Sequence, residues 1–376
     1  VAVGSSALLA NTTASNNTAV GYQSLTANTT GSHNSAVGRT SLSSNTTADD
    51  NTAMGSNALA SNTTGASNTA VGRAALDSNT TASNNTAMGH NALGVNTTGA
   101  ENVAVGAAAL KSSTTASNNV SIGYLSMEDT TTGHSNVAVG HSAMEANTTG
   151  VANVAVGSGA LEGGSADSNT AIGQGAMQTG GGGGSNTAVG RLALSDLTSG
   201  DSNNALGFEA LEKVTSGNHN TGIGYRTGMT MTTASNNILM GNFAGDAITT
   251  GGNNTAIGYA ALSSSTTGQQ NTAVGANSID SLTTGEGNVA VGYNNDVDSG
   301  DRVRSYGIGI NLSLATNNSI KIGNAGTNIQ CDWGGGATWN HSSDERLKNN
   351  IQDSSLGLNF INDLRPVTYK WKEQED

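Results

Sequence analysis

Apolar residues recur along this chain in pairs at a fixed interval, without the stripe of a helix. A Val, Ile, Met or Leu stands directly before a Gly, as in "NTAVG" closing at Gly21, "NVAVG" closing at Gly106 and "NTAIG" closing at Gly258. Four residues after the Gly comes a second apolar residue: Leu25, Leu42, Leu59, Leu76, Leu93, Leu110, Met127, Met144. Aligned on that Gly, the chain runs from Gly4, Gly21 and Gly38 to Gly292 and Gly309; of eighteen intervals, seventeen are 17 residues and one, Gly157 to Gly173, is 16. A last step of 14 residues reaches Gly323.

The polar positions keep the same register. Asn stands four residues before the Gly, at Asn17, Asn34, Asn51 and onward to Asn288, and an "NTTG"-like or "TTAS"-like stretch separates one unit from the next. So much Gly, Asn and Thr disfavours helix. The unit predicts two short strands and two turns, one coil of a solenoid. A single coil cannot bury its own apolar side chains. Stacking lays each Val/Ile/Met and each Leu/Met over its counterpart in the next coil, at the ~4.8 Å strand spacing. About nineteen coils give a rod roughly 90 Å long. The Asn row is predicted to be a structural ladder.

Composition agrees with a stacked architecture. Of 376 residues only 3% are aromatic, 52 are Gly and one is Pro, too few large side chains for conventional globular cores. The net charge of -13 with 11% charged residues offers no basic surface for phosphates, so nucleic acid is not an expected partner. Cys331 is the single cysteine, which rules out an internal disulfide framework and reads as a small buried residue. No apolar run reaches the ~18 residues of a membrane helix, so no membrane insertion is expected. The chain opens at Val1 inside its own pattern and reads as a fragment. Six dispersed histidines give no metal spacing, and "DVDSGD" (296–301) has its Gly misplaced for a calcium loop and no closing Glu. No metal and no cofactor is expected.

The units "NTAVGYQSL", "NVAVGAAAL" and "NTAIGYAAL" resemble the head repeats of trimeric autotransporter adhesins, the YadA-like left-handed parallel β-roll. The 17-residue unit is longer than those heads typically use. The resemblance implies a homotrimer of rolls side by side, with the Ala two before each Gly permitting close approach.

After Gly323 the composition changes, with Trp333, Trp339, Trp371 and Pro366 all in this tail. The segments "SSDERLKNNI" and "GLNFINDLRPVTYKWK" resemble the start of the endosialidase-type intramolecular chaperone domain found at the C-termini of bacteriophage tail fibres and tailspikes. That resemblance implies a self-cleaving pair, Ser343 as nucleophile and Lys348 as its base, with Asp344 and Arg346 completing the motif and the cut at Ser342-Ser343 or a neighbouring bond. A Ser hydroxyl needs such a base, and a Lys serves only with a lowered pKa, to which the Arg346 charge would contribute. The alternative is that "SSDE" merely caps a helical turn.

The expected fold is therefore all-β: a left-handed parallel β-roll or β-solenoid, homotrimeric, with a short α+β C-terminal segment. The divisions are a repeat shaft or head (1–323), a connector (324–342) and the beginning of a truncated chaperone domain (343–376). The residue after each Gly varies most, and Tyr22, Arg39, Arg73, His90, Tyr124, His141, Arg191, Phe208, Tyr225, Tyr259 and Tyr293 form a candidate receptor-contact column, against which stands packing over turns or between chains. The expected function is a structural fibre of a phage virion that attaches to a host glycan or protein receptor and joins other tail or baseplate proteins. The repeats show no catalytic site, so any enzymatic step is the autoproteolysis. The alternatives are a trimeric adhesin on a bacterial cell surface and an ice-binding solenoid.

Overall fold

A computed structural model describes residues 1–180 and 182–333, and the backbone of 338–341. No described residue is helical. Strands β1 (Ala2–Val3) to β18 (Val289–Val291) come once per coil and pair parallel. Register is one coil, so that Ala19 opposes Ala36 and Val20 opposes Val37. The 16-residue interval keeps it, with Ala155 opposite Ala171, because the missing residue comes out of the turn. Beyond β18 lie β19 (Asp296–Val297), β20 (Ser305–Ile310), β21 (Ser313–Leu314), β22 (Ser319–Asn324), β23 (Asn328–Asp332) and β24 (Thr338–His341). β20 and β22 continue the parallel stack, β19 pairs with β21, and β23 and β24 add antiparallel strands at its end. The β-solenoid of about nineteen coils is thus present.

The second strand expected in each coil appears only in the last two, as β19 and β21, and not in the coils before them. The residues after the Gly run through turns in which left-handed residues alternate, Gln23 at φ 57° and Leu25 at φ 52°. Their amides still bond from coil to coil, Gln23 N–H donating to the Ser5 carbonyl and Leu25 N–H to that of Ser41. A left-handed Leu costs about 1–2 kcal/mol. Its side chain is wholly buried, which returns about 2 kcal/mol, and hydrogen bonds to the neighbouring coil hold the backbone.

The strand faces also differ from expectation. Within "TAV" the Ala points inward and is fully buried at Ala19, Ala36, Ala53 and Ala70. Alternation then turns the residue before the Gly outward: Val37, Met54, Met88, Ile122 and Leu206 are 38–50% exposed. The core is a column of strand Ala against Leu or Met from the opposite wall, because a 17-residue coil encloses room for one large side chain and a small one facing it. It follows that the Ala two before each Gly, sealed within its own chain, cannot mediate close approach between rolls.

An exception shows how strict this volume rule is. In two adjacent coils the core Leu is replaced by Gly228 and Gly245, and there the strand supplies Leu239 in place of Ala. A Cβ on Gly228 would lie 2.8 Å from Leu239 Cδ1, and one on Gly245 2.9 Å from Leu239 Cδ2.

Two buried polar columns run along the rod. In the first, each Asn Oδ1 accepts the backbone N–H of the Asn in the next coil, Asn17 from Asn34 at 2.8 Å and Asn34 from Asn51 at 2.9 Å. Its Nδ2 donates to the following turn, as Asn34 does to the Ala48 carbonyl at 2.8 Å. The predicted ladder is there, reaching Ser305, whose N–H donates to Asn288. A second column joins side-chain amides directly, with Asn45, Asn62, Asn79 and Asn96 each donating to the Asn one coil earlier at 2.8–3.0 Å. Ser113 and Thr130 interrupt it, leaving Asn96 Oδ1, Ser113 Oγ and Thr130 Oγ1 buried without a partner. Further on the same corner becomes apolar, as Leu197, Val214, Met231, Ile248 and Leu282, all buried, with one exception, Ser265, whose buried hydroxyl has no partner.

Each repeat Gly is required by its backbone. Gly21 sits at φ +137°, and a Cβ on it would strike the Gly38 carbonyl oxygen.

Candidate functional site

The residues following the repeat glycines form one continuous surface column. Each coil's N–H two after the Gly bonds to the carbonyl one after the Gly in the preceding coil, as Thr40 does to Tyr22 and Asn57 to Arg39. Tyr22, Arg39, Arg73, His90, Tyr124, His141, Arg191, Tyr225, Tyr259 and Tyr293 are exposed along it, and Phe208 is half-buried. Several touch across coils. Arg73 and His90 are 3.0 Å apart, and the Tyr124 and His141 rings lie 5.6 Å apart.

The densest stretch contains residues that the sequence reading did not single out. Arg191 lies 5.3 Å over the Phe208 ring, which stacks on Tyr225 at 5.3 Å and an interplanar angle of 10°. Phe243 meets Tyr225 and Tyr259 edge-on, at 5.4 and 6.0 Å. Beneath them Glu209, 9% exposed, is 3.8 Å from Arg191 and accepts from Arg226 Nε at 2.7 Å. That hydrogen bond raises the guanidinium's pKa. Phe243, Glu209 and Arg226 occupy the place two after the Gly, so reading the column two residues wide would have found them. Stacked rings present edges to solvent, so here the column supports itself; the exposed rings Tyr22 and Tyr293, which make no ring contact among the described residues, keep more free surface.

A second continuous feature is the outward face of the strands. The residue before the Gly is Val, Ile, Met or Leu in every coil from Val3 to Ile308, and the residue two places earlier, on the same face, is never charged. Both are half-buried to exposed. The face is an unbroken apolar band along the rod.

The carboxylates of "DVDSGD" point to separate partners. Asp296 accepts from Ser281 N–H at 3.0 Å, Asp298 pairs with Arg302, and Asp301 accepts from Ser299. Among the described residues no three His, Cys, Asp or Glu gather into a metal-binding group. Asp280 is notable there: burial first, then the neighbouring Asp296, pushes its carboxyl up to about 6. Cys331 is buried and unbridged. The Thr column, in which Thr12 Oγ1 donates to the Thr29 carbonyl and Thr29 to that of Thr46, is broken at Ser165. Ser342, Ser343, Asp344, Arg346 and Lys348 lie outside the described residues.

The segment beyond the rod has a counterpart among known families. Residues 343–376 match the family described as Chaperone of endosialidase. A chaperone of endosialidase segment thus directly succeeds a β-solenoid. No curated protein and no solved structure matches the chain.

Proposed function

We propose that the chain is the shaft or distal part of a phage tail fibre, built as a parallel homotrimer and matured through its C-terminal chaperone segment. The observation carrying this reading is the chaperone of endosialidase match immediately after a rod of nearly identical coils. Such coils pair out of register at little cost. A C-terminal clamp that associates first sets the register, and its removal leaves a kinetically trapped product. Ser343 and Lys348 are the proposed cleaving pair, and host attachment is the proposed role.

The apolar band supports the trimer reading, and it is the face proposed to turn inward. At about 25 cal/mol per Å², full burial of a Val, Leu, Ile or Met side chain corresponds to roughly 60–120 Å². The residues before the glycines, with their neighbours on the same face, most of which are Thr, therefore expose on the order of 1,000 Å² per chain, close to the ~800 Å² per partner of a standard interface. Two further copies in parallel register present the same band to it.

The test is the denatured mass of the full chain with its native C-terminus beside Ser343→Ala, with the native mass measured by light scattering. The expected result is a wild-type chain ending near Ser342, an intact variant and three chains per particle. Two full-length chains would remove the cleaving role, and a monomer would remove the fibre reading.

A further inference from the structure

One depression on the rod is made by a local change in the repeat. The residue two after each repeat Gly bears a side chain everywhere from Ser6 to Asn311 except at Gly159 and Gly175, in adjacent coils. Both keep the left-handed backbone of their counterparts, φ 64° and 62° beside 63° at Asn57 and 57° at Asn91. A side chain is therefore compatible with the backbone at these places, once the end of Leu192, 2.9 Å from a Cβ on Gly175, turns aside, and its absence leaves a floor. Over that floor opens a cavity of about 260 Å³. His141, Ser158, Gln174 and Arg191 wall it on one side, and Glu162 and Gln178 on the other, with Gln178 Nε2 donating to Glu162 at 2.9 Å.

We propose that this cavity is a saccharide-binding subsite that takes one hexose of a neutral glycan lying along the rod. The walls offer donors and acceptors together, as a polyhydroxylated ligand requires. Their charges cancel: Glu162 opposes an anionic ligand, while Arg191 opposes a cation and is itself engaged by Glu209 at 3.8 Å. The cavity is below the ~300–1,000 Å³ of drug-sized sites, which suits a single ring. An exposed ring, Tyr124 beside His141, continues the column at one end, and the Arg191 guanidinium, lying over Phe208, closes the other. The four coil steps from Tyr124 to Arg191 span roughly 19 Å, enough for an extended oligosaccharide with its middle unit in the cavity.

This deepens the proposed attachment role and rests on it, and the test separates the two. The probes are immobilised neutral glucans, galactans and mannans, followed by titration with a hexasaccharide of whichever binds. Gly159→Asn/Gly175→Asn fills the floor with a residue the repeat already uses there. Gln178→Ala, on an exposed side chain, removes a wall group without touching the backbone. Wild type is expected to bind, both variants to lose at least tenfold in affinity, and the melting temperatures to stay together. Equal affinity in wild type and Gln178→Ala would overturn the subsite while leaving the fibre reading to its own mass measurement. Failure of wild type to bind any probe would overturn it as well.

Discussion

At the scale of single residues, the rod tolerates few compromises, and those it makes can be measured. Asp280 is one. Its folded carboxyl titrates near 6 against 3.8 for the free side chain, so the unfolded chain ionises first as pH rises. The stability this group contributes is complete below about pH 4 and lost as pH passes 6. Asp280→Asn should flatten that part of the stability profile and gain on the order of 1 kcal/mol at pH 7, after allowance for solvent screening at a half-buried site. Denaturation midpoints between pH 4 and 7 check this. The orphaned polar atoms at Asn96, Ser113 and Thr130 are a second compromise. Ser113→Asn/Thr130→Asn should restore the amide column between Asn96 and Asn147 and stabilise by about 1–2 kcal/mol, read as a higher guanidinium midpoint at constant slope.

At the scale of the element, the coil is governed by volume. Leu239 fills space left by both Gly228 and Gly245, so Leu239→Ala leaves a cavity that no neighbour can close. A loss of about 3–5 kcal/mol is expected, against about 1 kcal/mol or less for Val95→Ala at an exposed turn outside the apolar band; paired melts distinguish them. This rule also explains what the sequence reading could and could not see. The period, the parallel stacking and the Asn ladder were legible because they depend on which residues recur. The facing of the strand was not, because hydrophobicity alone puts Val inside and Ala out, whereas the narrow coil selects by size. The second strand was misread for a related reason: Leu25 looks like a strand residue, and its left-handed backbone is imposed by bonds to the coils on either side. At the candidate site the exposed column was legible from its variability. Glu209, Arg226 and Phe243 were missed by one place, and the floor at Gly159 and Gly175 carried no signal in a chain so rich in Gly.

At the scale of the whole molecule, contacts are almost entirely between neighbouring coils, so stability is approximately a sum over coils and their interfaces. Excising one whole coil, residues 52–68, joins equivalent positions and should give a folded rod shorter by ~4.8 Å, with a circular dichroism spectrum like the parent's. Excising half of that stretch leaves one coil that cannot close, so the stack should break at that junction, the coils on either side keeping their own register, and the rod should unfold in two separate transitions.

The buried corner that holds Asn from Asn28 to Asn96 and, but for Ser265, apolar residues from Leu197 to Leu282 gives this otherwise uniform rod an address. An Asn coil laid on a Leu coil would bury an amide oxygen with no partner, as at Asn96, at about 1–3 kcal/mol for each, while exchanges within either stretch cost much less. The two halves of the chain are therefore not interchangeable: each carries a chemical label, hidden from solvent, that tells a growing stack which end it has reached.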